Sequence, residues 1–221
     1  MIALITARQN SRGLPGKNVR LLGKLPLLCW SIESALRCGL DPVVSSDSEE
    51  YLALARRYGA SSLPRPAKLA GDQTPHFEVI EHAVKSLGQP TEMALFQPTA
   101  PFRKDEDIKE SVRKFYDGEW DSLINVIAVP EEWHPDVTMQ IVDGRVTMAS
   151  GVPVKHRIKR RQDHRPAFVP SGGLYIFKTR NLAYGNFYGD RVGLHEVEQT
   201  VNINDSQDWA KAELIAKTWK P

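Results

Sequence analysis

A basic loop follows the first apolar run of the chain. Residues 2–5 are apolar and predict a buried strand. The polar side chains after this run, all able to bind an anion or a sugar, are Arg8, Ser11, Arg12, Lys17 and Asn18. Gly13 and Gly16 permit a ligand to approach the backbone closely. Because ligands of open α/β sheets bind beyond the carboxyl ends of strands, the loop predicts a phosphate site, with a solvated basic turn as the alternative.

The loop differs from two common nucleotide-binding motifs. A P-loop has four residues between its glycines and Ser or Thr after its lysine. Here two residues separate Gly13 from Gly16, and Asn18 follows Lys17. The loop does not have the G-x-G-x-x-G pattern of dinucleotide-binding folds either. The pattern therefore indicates an anion site without naming the nucleotide.

Strand-like and helix-like segments alternate behind this loop. The apolar spacing predicts strands at residues 2–5, 42–44, 93–96, 122–129 and 168–177. It predicts helices at residues 26–37, 48–58, 77–87 and 105–116, and a last helix that is capped by Asp205 or Ser206 and runs to about residue 218. Residues 63–75 are too rich in proline for regular structure. We therefore predict an α/β, Rossmann-like fold with a mostly parallel sheet flanked by helices.

The composition changes after residue 129. Residues 137–142 and 145–148 flank Asp143-Gly144, which predicts a β-hairpin. Residues 155–165 hold the densest charge in the chain. This charge could belong to a solvated flap or to a nucleic-acid-binding patch. No stacking aromatic side chain is interleaved with this charge, which argues against RNA binding. We expect one domain, residues 1–221, with residues of about 130–168 as an insertion.

Composition narrows the functional class. The 221 residues are 41% hydrophobic and carry a net charge of +2, which indicates a soluble globular chain that does not bind nucleic acid in general. No apolar run is long enough to cross a membrane, and no signal-peptide pattern is present. Cys29 and Cys38 lack metal-ligand spacing, so we expect reduced thiols and a cytoplasmic protein. We expect His76, His82 and His195 to be surface or partly buried rather than catalytic.

The basic loop resembles a known family signature. Residues 7–18, Ala-Arg-Gln-Asn-Ser-Arg-Gly-Leu-Pro-Gly-Lys-Asn, are similar to the loop with which acylneuraminate cytidylyltransferases hold the triphosphate and ribose of CTP. The resemblance implies a nucleotide site made of Ala7, Arg8, Ser11, Arg12, Lys17 and Asn18. Arg8, Arg12 and Lys17 are then the residues that neutralise the phosphates during catalysis.

Further motifs resemble the same family. Residues 65–70, Arg-Pro-Ala-Lys-Leu-Ala, match a segment whose arginine reaches the nucleotide, so Arg65 joins the nucleotide site; a surface arginine is the alternative. Residues 97–103 resemble the Gln-Pro-Thr-Ser-Pro-Leu-Arg motif, in which the glutamine, here Gln97, contacts the acyl sugar. Residues 170–175 resemble Pro-Asn-Gly-Ala-Ile-Tyr and place Ser171 and Gly172 at the sugar, with serine where asparagine is usual.

Two features of the resemblance concern assembly and metal. In the family the region of residues 130–168 is a dimerisation arm that reaches the neighbouring site, and Arg161 matches its sugar-carboxylate arginine. Asn202 and Asn204 stand where the family has the two aspartates that bind Mg²⁺. Alternation along a strand puts both on one side. Three outcomes are open for the metal site. Either the substrate phosphates hold the ion with help from the asparagines, or Asp205 takes part, or the site has lost the metal.

The resemblance implies an enzyme that activates an acidic nine-carbon, sialic-acid-like sugar with CTP to give CMP-sugar and pyrophosphate. It implies a fold of the nucleotide-diphospho-sugar transferase type and a homodimer. It also implies Mg²⁺ as cofactor, and neither nucleic acid nor a membrane as partner. A transferase that uses another nucleotide or a sugar phosphate is one alternative. A non-catalytic nucleotide-binding homologue is the other, because both metal-site aspartates are missing.

Overall fold

A seven-stranded sheet organises the chain. The computed structural model describes residues 1–9, 13–198 and 200–221. The first half contains β1 (Ile2–Thr6), β2 (Leu21–Leu22), β3 (Leu25–Pro26), α1 (Leu27–Arg37), β4 (Asp41–Ser46), α2 (Glu49–Arg57), β5 (Ser61–Pro64), α3 (His76–Ser86) and β6 (Glu92–Phe96). The second half contains α4 (Asp105–Asp117), β7 (Ser122–Ala128), β8 (Met139–Val142), β9 (Arg145–Met148), β10 (Phe168–Lys178), β11 (Val192–Glu196) and α5 (Ser206–Ala216).

The sheet is mostly parallel, as predicted. Its strand order is β11-β7-β10-β6-β1-β4-β5. β1 pairs in parallel with β4 and β6, β5 in parallel with β4, and β11 in parallel with β7. β10 lies antiparallel between β6 and β7, with a register shift between Pro170 and Tyr175. The carboxyl ends of β1, β4, β5 and β6 therefore meet at one edge of the sheet.

Helices cover both faces of the sheet because the side chains of each strand alternate between them. Ala3 and Ile5 of β1 pack in one cluster with Leu28 and Ile32 of α1. That cluster also holds residues of α2 and α4. Leu4 packs on the other face with α3. A third cluster joins Ile203 and the apolar side of α5 to the residues around β2 and β3.

The structure corrects several element boundaries. Residues 61–64 form β5, so the prediction of no regular structure is wrong at Leu63 and Pro64. Pro64 is tolerated because β5 is an edge strand. β2, β3 and β11 were not predicted. The residues around Asn202 and Asn204 form no strand, although Val201 and Ile203 are buried between more exposed neighbours.

The predicted β-hairpin is confirmed as β8 and β9. Asp143 and Gly144 have φ angles of 50° and 71°, the left-handed values that a tight two-residue turn requires. Met139, Ile141 and Val142 of β8 are exposed in this chain. Asp205 caps α5 as predicted, because its Oδ1 accepts from the N–H groups of Gln207 and Asp208 at 2.9 Å. Within the described residues, we find no helix with the length and apolar character needed to cross a bilayer.

Candidate active site

A cleft of about 350 Å³ lies at the edge where the carboxyl ends of the parallel strands meet. Its walls come from the loop after β1, from residues 65–79 and from Pro98 and Thr99 after β6. This volume falls in the usual range of small-molecule sites. Among the described residues, the cationic side chains that line the cleft are Arg8, Lys17 and Arg65. The prediction of a shared anion site beyond β1 agrees with this arrangement.

Arg8 is held by a carboxylate from the facing wall. Its Nη1 lies 2.6 Å from Oδ1 of Asp72. Both side chains line the cleft and are partly exposed to solvent. A guanidinium binds phosphate and carboxylate with the same planar geometry. Asp72 thus occupies the position on Arg8 that a phosphate oxygen of a ligand would take.

Lys17 is almost fully buried and contacts a distant part of the chain. Its Nζ donates to the carbonyl oxygen of Ile203 at 2.7 Å. Burial and the positive charge of Arg8 lower the pKa of Lys17 from its usual 10.5, while Asp208 raises it. The contact attaches residues 201–204 to the basic loop. Gly13 supports the same approach, because a Cβ there would overlap the backbone oxygen of Asn204.

Arg65 is buried, so the alternative of a surface arginine is wrong. Its Nη2 donates to the carbonyl oxygen of Ser45 at 2.8 Å, and its Nε donates to the hydroxyl of Ser45 at 3.3 Å. Burial lowers the pKa of Arg65 to about 10, with Arg8 acting in the same direction and Asp47 opposing it. The guanidinium is therefore charged at neutral pH and fixed to the end of β4.

The other predicted nucleotide residues have different places. Asn18 lines the cleft, and its Nδ2 donates to the carbonyl oxygen of Arg8 at 3.1 Å, which holds the loop. Ala7 is buried in the core, and its N–H donates to Ser45 O at 3.0 Å, so its side chain and N–H face away from a ligand. Ser11 and Arg12 lie outside the described residues.

His76 is a cleft residue that the sequence did not reveal. It is the first residue of α3, and its Nε2 lies 3.0 Å from Oγ1 of Thr6 at the end of β1. His76 keeps solvent-accessible surface on the side of the cleft, while protein atoms lie close around the rest of its imidazole. This burial, with a smaller effect of Arg65, lowers the pKa of His76 from 6.5 to about 4. The imidazole is therefore neutral at physiological pH. Its spacing to other residues carries no signal that could have identified it.

Arg103 fixes the neighbouring loop on the predicted sugar side. This buried side chain donates from Nε to the Gly173 oxygen at 2.7 Å, from Nη1 to the Ser31 hydroxyl at 3.1 Å, and from Nη2 to the carbonyl oxygen of Gln97. Burial lowers its pKa to about 9. The loop after β6 is thereby joined to β10.

Gln97, Gly172 and Asn202 meet at one point beside this loop. A Cβ at Gly172 would lie 2.6 Å from Nδ2 of Asn202 and 3.6 Å from Oε1 of Gln97. Gly172 also has a φ of +75°, which strains any other residue. Ser171 lies one residue earlier, and its hydroxyl accepts from the N–H of Gly173 at 3.1 Å. The structure thus places Gln97 and Gly172 together, with Asn202 as an unexpected third member.

Arg161 contacts Glu131 rather than this group among the described residues. It lies on the basic segment after the hairpin and is largely exposed. Its Nε is 3.4 Å from Oε2 of Glu131. His164 of the same segment stacks on His134 with ring centroids 4.9 Å apart. The segment that carries Arg161 is therefore held against Glu131 and His134 of the same chain.

The residues expected to hold Mg²⁺ do not fit it. Oδ1 of Asn202 is buried and has no hydrogen-bond partner among the described residues, while its Nδ2 is the atom facing Gly172. Nδ2 of Asn204 donates to the backbone oxygen of Asn202 at 3.2 Å. The described ranges contain no group of three or more His, Cys, Asp or Glu arranged to bind a metal. Mg²⁺ prefers carboxylates, and neutral amides that present N–H groups are poor ligands.

Comparison with known proteins decides the family. The profile of the family described as Cytidylyltransferase matches residues 2–169. The chain belongs to the cytidylyltransferase family. The resemblance inferred from the basic loop and the Gln97 motif is thus confirmed. The family consists of nucleotidyltransferases, which agrees with a cationic cleft beside a sheet edge.

Similar relatives of this chain carry specific names. It is 31% identical over 220 residues to the N-acylneuraminate cytidylyltransferase of Escherichia coli O18:K1:H7, covering 97% of this chain and 52% of that protein. It is 28% identical over 214 residues to the protein of the same name from Streptococcus agalactiae serotype V, covering 94% and 51%. The chain thus spans about half the length of these relatives. The CMP-N,N'-diacetyllegionaminic acid synthase of Legionella pneumophila is 30% identical over 236 residues, covering 97% of this chain and 95% of that protein.

Solved structures share the fold of this chain. The CMP:2-keto-3-deoxy-manno-octonic acid synthetase complexed with CTP superposes with a TM-score of 0.73 at 14% identity, covering 98% of both chains. The 4-diphosphocytidyl-2C-methyl-D-erythritol synthase of Anaerococcus prevotii gives 0.66 at 11% identity, covering 98% of this chain and 97% of that one. At these identities the likeness concerns the fold alone, and it confirms the predicted Rossmann-like architecture.

Proposed function

We propose that this protein transfers the cytidylyl group of CTP to a hydroxyl of an acidic nine-carbon sugar and releases pyrophosphate. The observation that carries the proposal is the convergence of Arg8, Lys17 and Arg65 on one cleft beside the Gln97 loop. The names of two similar relatives, for N-acylneuraminate and N,N'-diacetyllegionaminic acid, support the choice of sugar.

The reaction needs little covalent chemistry from the protein. The sugar oxygen attacks the α-phosphorus of CTP, the bond from that phosphorus to pyrophosphate breaks, and the hydroxyl proton is released. Such phosphorus chemistry depends on positioning and on neutralising charge. Lys17 and Arg65 are fixed by carbonyl oxygens before the nucleotide arrives. Arg8 exchanges Asp72 for a phosphate oxygen.

Mg²⁺ enters this proposal with the nucleotide. Because Asn202 and Asn204 are neutral, we propose that the ion is held by the CTP phosphates and water rather than by a pair of protein side chains. When it is bound there, it supplies positive charge to the triphosphate. The proposal also includes the cytoplasm as location, since Cys29 and Cys38 are both free thiols and such thiols suit a reducing compartment.

A homodimer through the insertion completes the proposal. The hairpin and the turn before it expose several large apolar side chains, namely Trp133, Met139, Ile141, Val142 and Val146. Exposed apolar patches of this kind mark protein interfaces. A symmetric dimer buries the patch and carries Arg161 towards the sugar site of the other subunit, where its guanidinium can bind the sugar carboxylate.

The missing aspartates favour a second candidate, a nucleotide-binding homologue without turnover. A pyrophosphate-release assay with each of the four ribonucleoside triphosphates, Mg²⁺ and a panel of acidic sugars and sugar 1-phosphates separates the two. We expect release with CTP and a free acidic sugar. Thermal stabilisation by a nucleotide without release for any sugar would favour the binding homologue, and release with another nucleotide would redirect the substrate assignment.

A further inference from the structure

Asn202 lies between the two halves of the site. It belongs to the segment of residues 201–204, which contacts both neighbouring loops. The N–H of Ile203 donates to Thr99 O at 2.7 Å, on the side of the Gln97 loop. The carbonyl oxygen of Ile203 accepts from Lys17 at 2.7 Å, on the side of the basic loop. Ile203 is fully buried, so the segment is fixed in this position.

The polar end of Asn202 that faces the site is a donor. Its Nδ2 is 2.6 Å from the position of a Cβ on Gly172, and Gln97 Oε1 is 3.6 Å from the same position. The Asn202 amide can lie this close to the backbone of residue 172 because glycine has no Cβ. Oδ1 is buried and has no hydrogen-bond partner among the residues that the structure describes. A side-chain N–H₂ donates to an anion or a hydroxyl and cannot ligate a cation.

A cation and a carboxylate both flank this segment. The Lys17 ammonium donates to the carbonyl oxygen of Ile203 at 2.7 Å, and Oδ2 of Asp208 accepts from the N–H of Asn204 at 3.0 Å. An aspartate at position 202 would repel a substrate carboxylate unless a metal ion stood between them. Asparagine removes that repulsion and offers hydrogen-bond donors in place of a negative charge.

We infer that Asn202 is a sugar-binding residue whose Nδ2 donates a hydrogen bond to the carboxylate of the acidic sugar, and that it is not a metal ligand. This inference rests on the proposed function, because it needs an acidic acceptor sugar. Asn202 and Gln97 then bind one substrate from two loops that Arg103 and Ile203 hold in place. It assigns specificity for an acidic acceptor to a position at which metal binding was expected.

The test is the Asn202→Asp variant, which keeps the side-chain shape and replaces the N–H₂ donor with a negatively charged acceptor oxygen. We expect the KM for the acidic sugar to rise at least about tenfold, since a charged hydrogen bond becomes a repulsion. The KM for CTP stays within about twofold. With the methyl ester of the sugar, which has no carboxylate charge, the KM values of the variant and the wild type should be nearly equal. Mn²⁺ binding measured by electron paramagnetic resonance without sugar stays unchanged.

Gln207→Glu is the matched control, because it adds the same charge at an exposed position five residues further on. An unchanged sugar KM in Asn202→Asp, or tighter Mn²⁺ binding together with an unchanged sugar KM, would overturn the inference. A normal CTP KM in the variant shows that it is folded. Failure of the wild type to use any acidic sugar defeats the proposed function instead, so the two failures are distinguishable.

Discussion

Burial sets the charges of the side chains that line the cleft. Arg65 has a pKa of about 10 and is charged at neutral pH, whereas His76 has a pKa of about 4 and is neutral. Desolvation disfavours the charged form of both groups, but the guanidinium begins from a much higher pKa. A nucleotide entering the cleft therefore meets fixed cations together with one uncharged imidazole that can donate or accept a hydrogen bond.

His76→Ala should weaken nucleotide binding, because it removes the hydrogen-bonding group attached to Thr6 at the end of β1. We expect about a tenfold increase in the KM for CTP, the effect of losing one hydrogen bond in a partly enclosed site. His82→Ala is the control, since His82 lies on the same helix and does not line the cleft. Equal KM values for the two variants would contradict the role of His76.

The same histidine gives a pH dependence of stability. Its folded pKa of about 4 lies below the usual 6.5, so the unfolded chain takes up the proton first as the pH falls. The contribution of His76 is fully favourable above pH 6.5 and is lost progressively down to about pH 4. In urea titrations at several pH values across that window, His76→Gln should lose free energy of unfolding less steeply than the wild type. Parallel curves would contradict the lowered pKa.

At the scale of elements, side chains rather than strand pairs join the loops of the site. Arg103 connects the loop after β6 to β10, and Lys17 connects the loop after β1 to residues 201–204. Loops at the carboxyl ends of parallel strands have no ladder of their own, so such contacts decide their geometry. The sheet provides the edge at which the site lies, and the buried cations Lys17 and Arg103 hold the loops at that edge in place.

Arg103→Met should destabilise the fold, because the carbonyl oxygens of Gln97 and Gly173 lose their buried donor. We expect a loss of about 3 kcal/mol in the free energy of unfolding, measured by urea denaturation. Arg113→Met is the control, since Arg113 pairs with Glu110 and Asp117 on the exposed side of α4 and should cost less than about 1 kcal/mol. Similar losses in both variants would contradict a stabilising role for the hydrogen bonds of Arg103 to Gln97 and Gly173.

The sequence predicts the elements whose apolar pattern is regular and misses the others. The five α-helices of the described residues were located, α1 and α3 from apolar side chains at helical spacing and α5 from its cap. β11 was missed because one of its inward positions is His195, which is satisfied by Asp107 and Lys114 at 3.1 and 3.0 Å rather than by apolar contact. β5 was missed because its one proline, Pro64, argues against a strand and is tolerated only at the edge of the sheet.

The candidate site was predictable only where motif and position coincide. The basic loop follows β1 directly, so Arg8 and Lys17 could be placed from the sequence. His76 and Asp72 come from a segment that reaches the cleft through tertiary folding, and no spacing signals this. The roles of Asn202 and Asn204 were predicted from the resemblance, and their shared side-chain direction was predicted from a strand that does not form. Their side-chain directions depend instead on the contacts of Ile203 with two loops.

At the scale of the whole molecule, the insertion is the part whose surface does not suit an isolated chain. Every residue of β8 is exposed, and Ile141 is exposed by 76%. An antiparallel hairpin with apolar side chains on an open face gains stability by packing on another surface. A second copy of the chain provides such a surface, as proposed above.

Subunit mixing tests whether Arg161 acts across the dimer. Arg161→Ala and Lys17→Ala should each be nearly inactive alone. Mixed after mild dissociation and reassembly, half of the dimers are heterodimers with one intact site, so activity should recover to about one quarter of the wild-type value. Two copies of the double variant, Arg161→Ala with Lys17→Ala, provide the control. No recovery, with heterodimers verified by mass spectrometry, would contradict a role in the other subunit.

The hydrogen bond between Lys17 and Ile203 has a consequence for the order of events. A triphosphate that draws the ammonium towards itself competes with the carbonyl oxygen of Ile203 and so acts on the segment that carries Asn202. The two substrates then communicate through a single shared peptide. Any change that CTP makes in the affinity for the acceptor is matched by an equal change that the acceptor makes in the affinity for CTP.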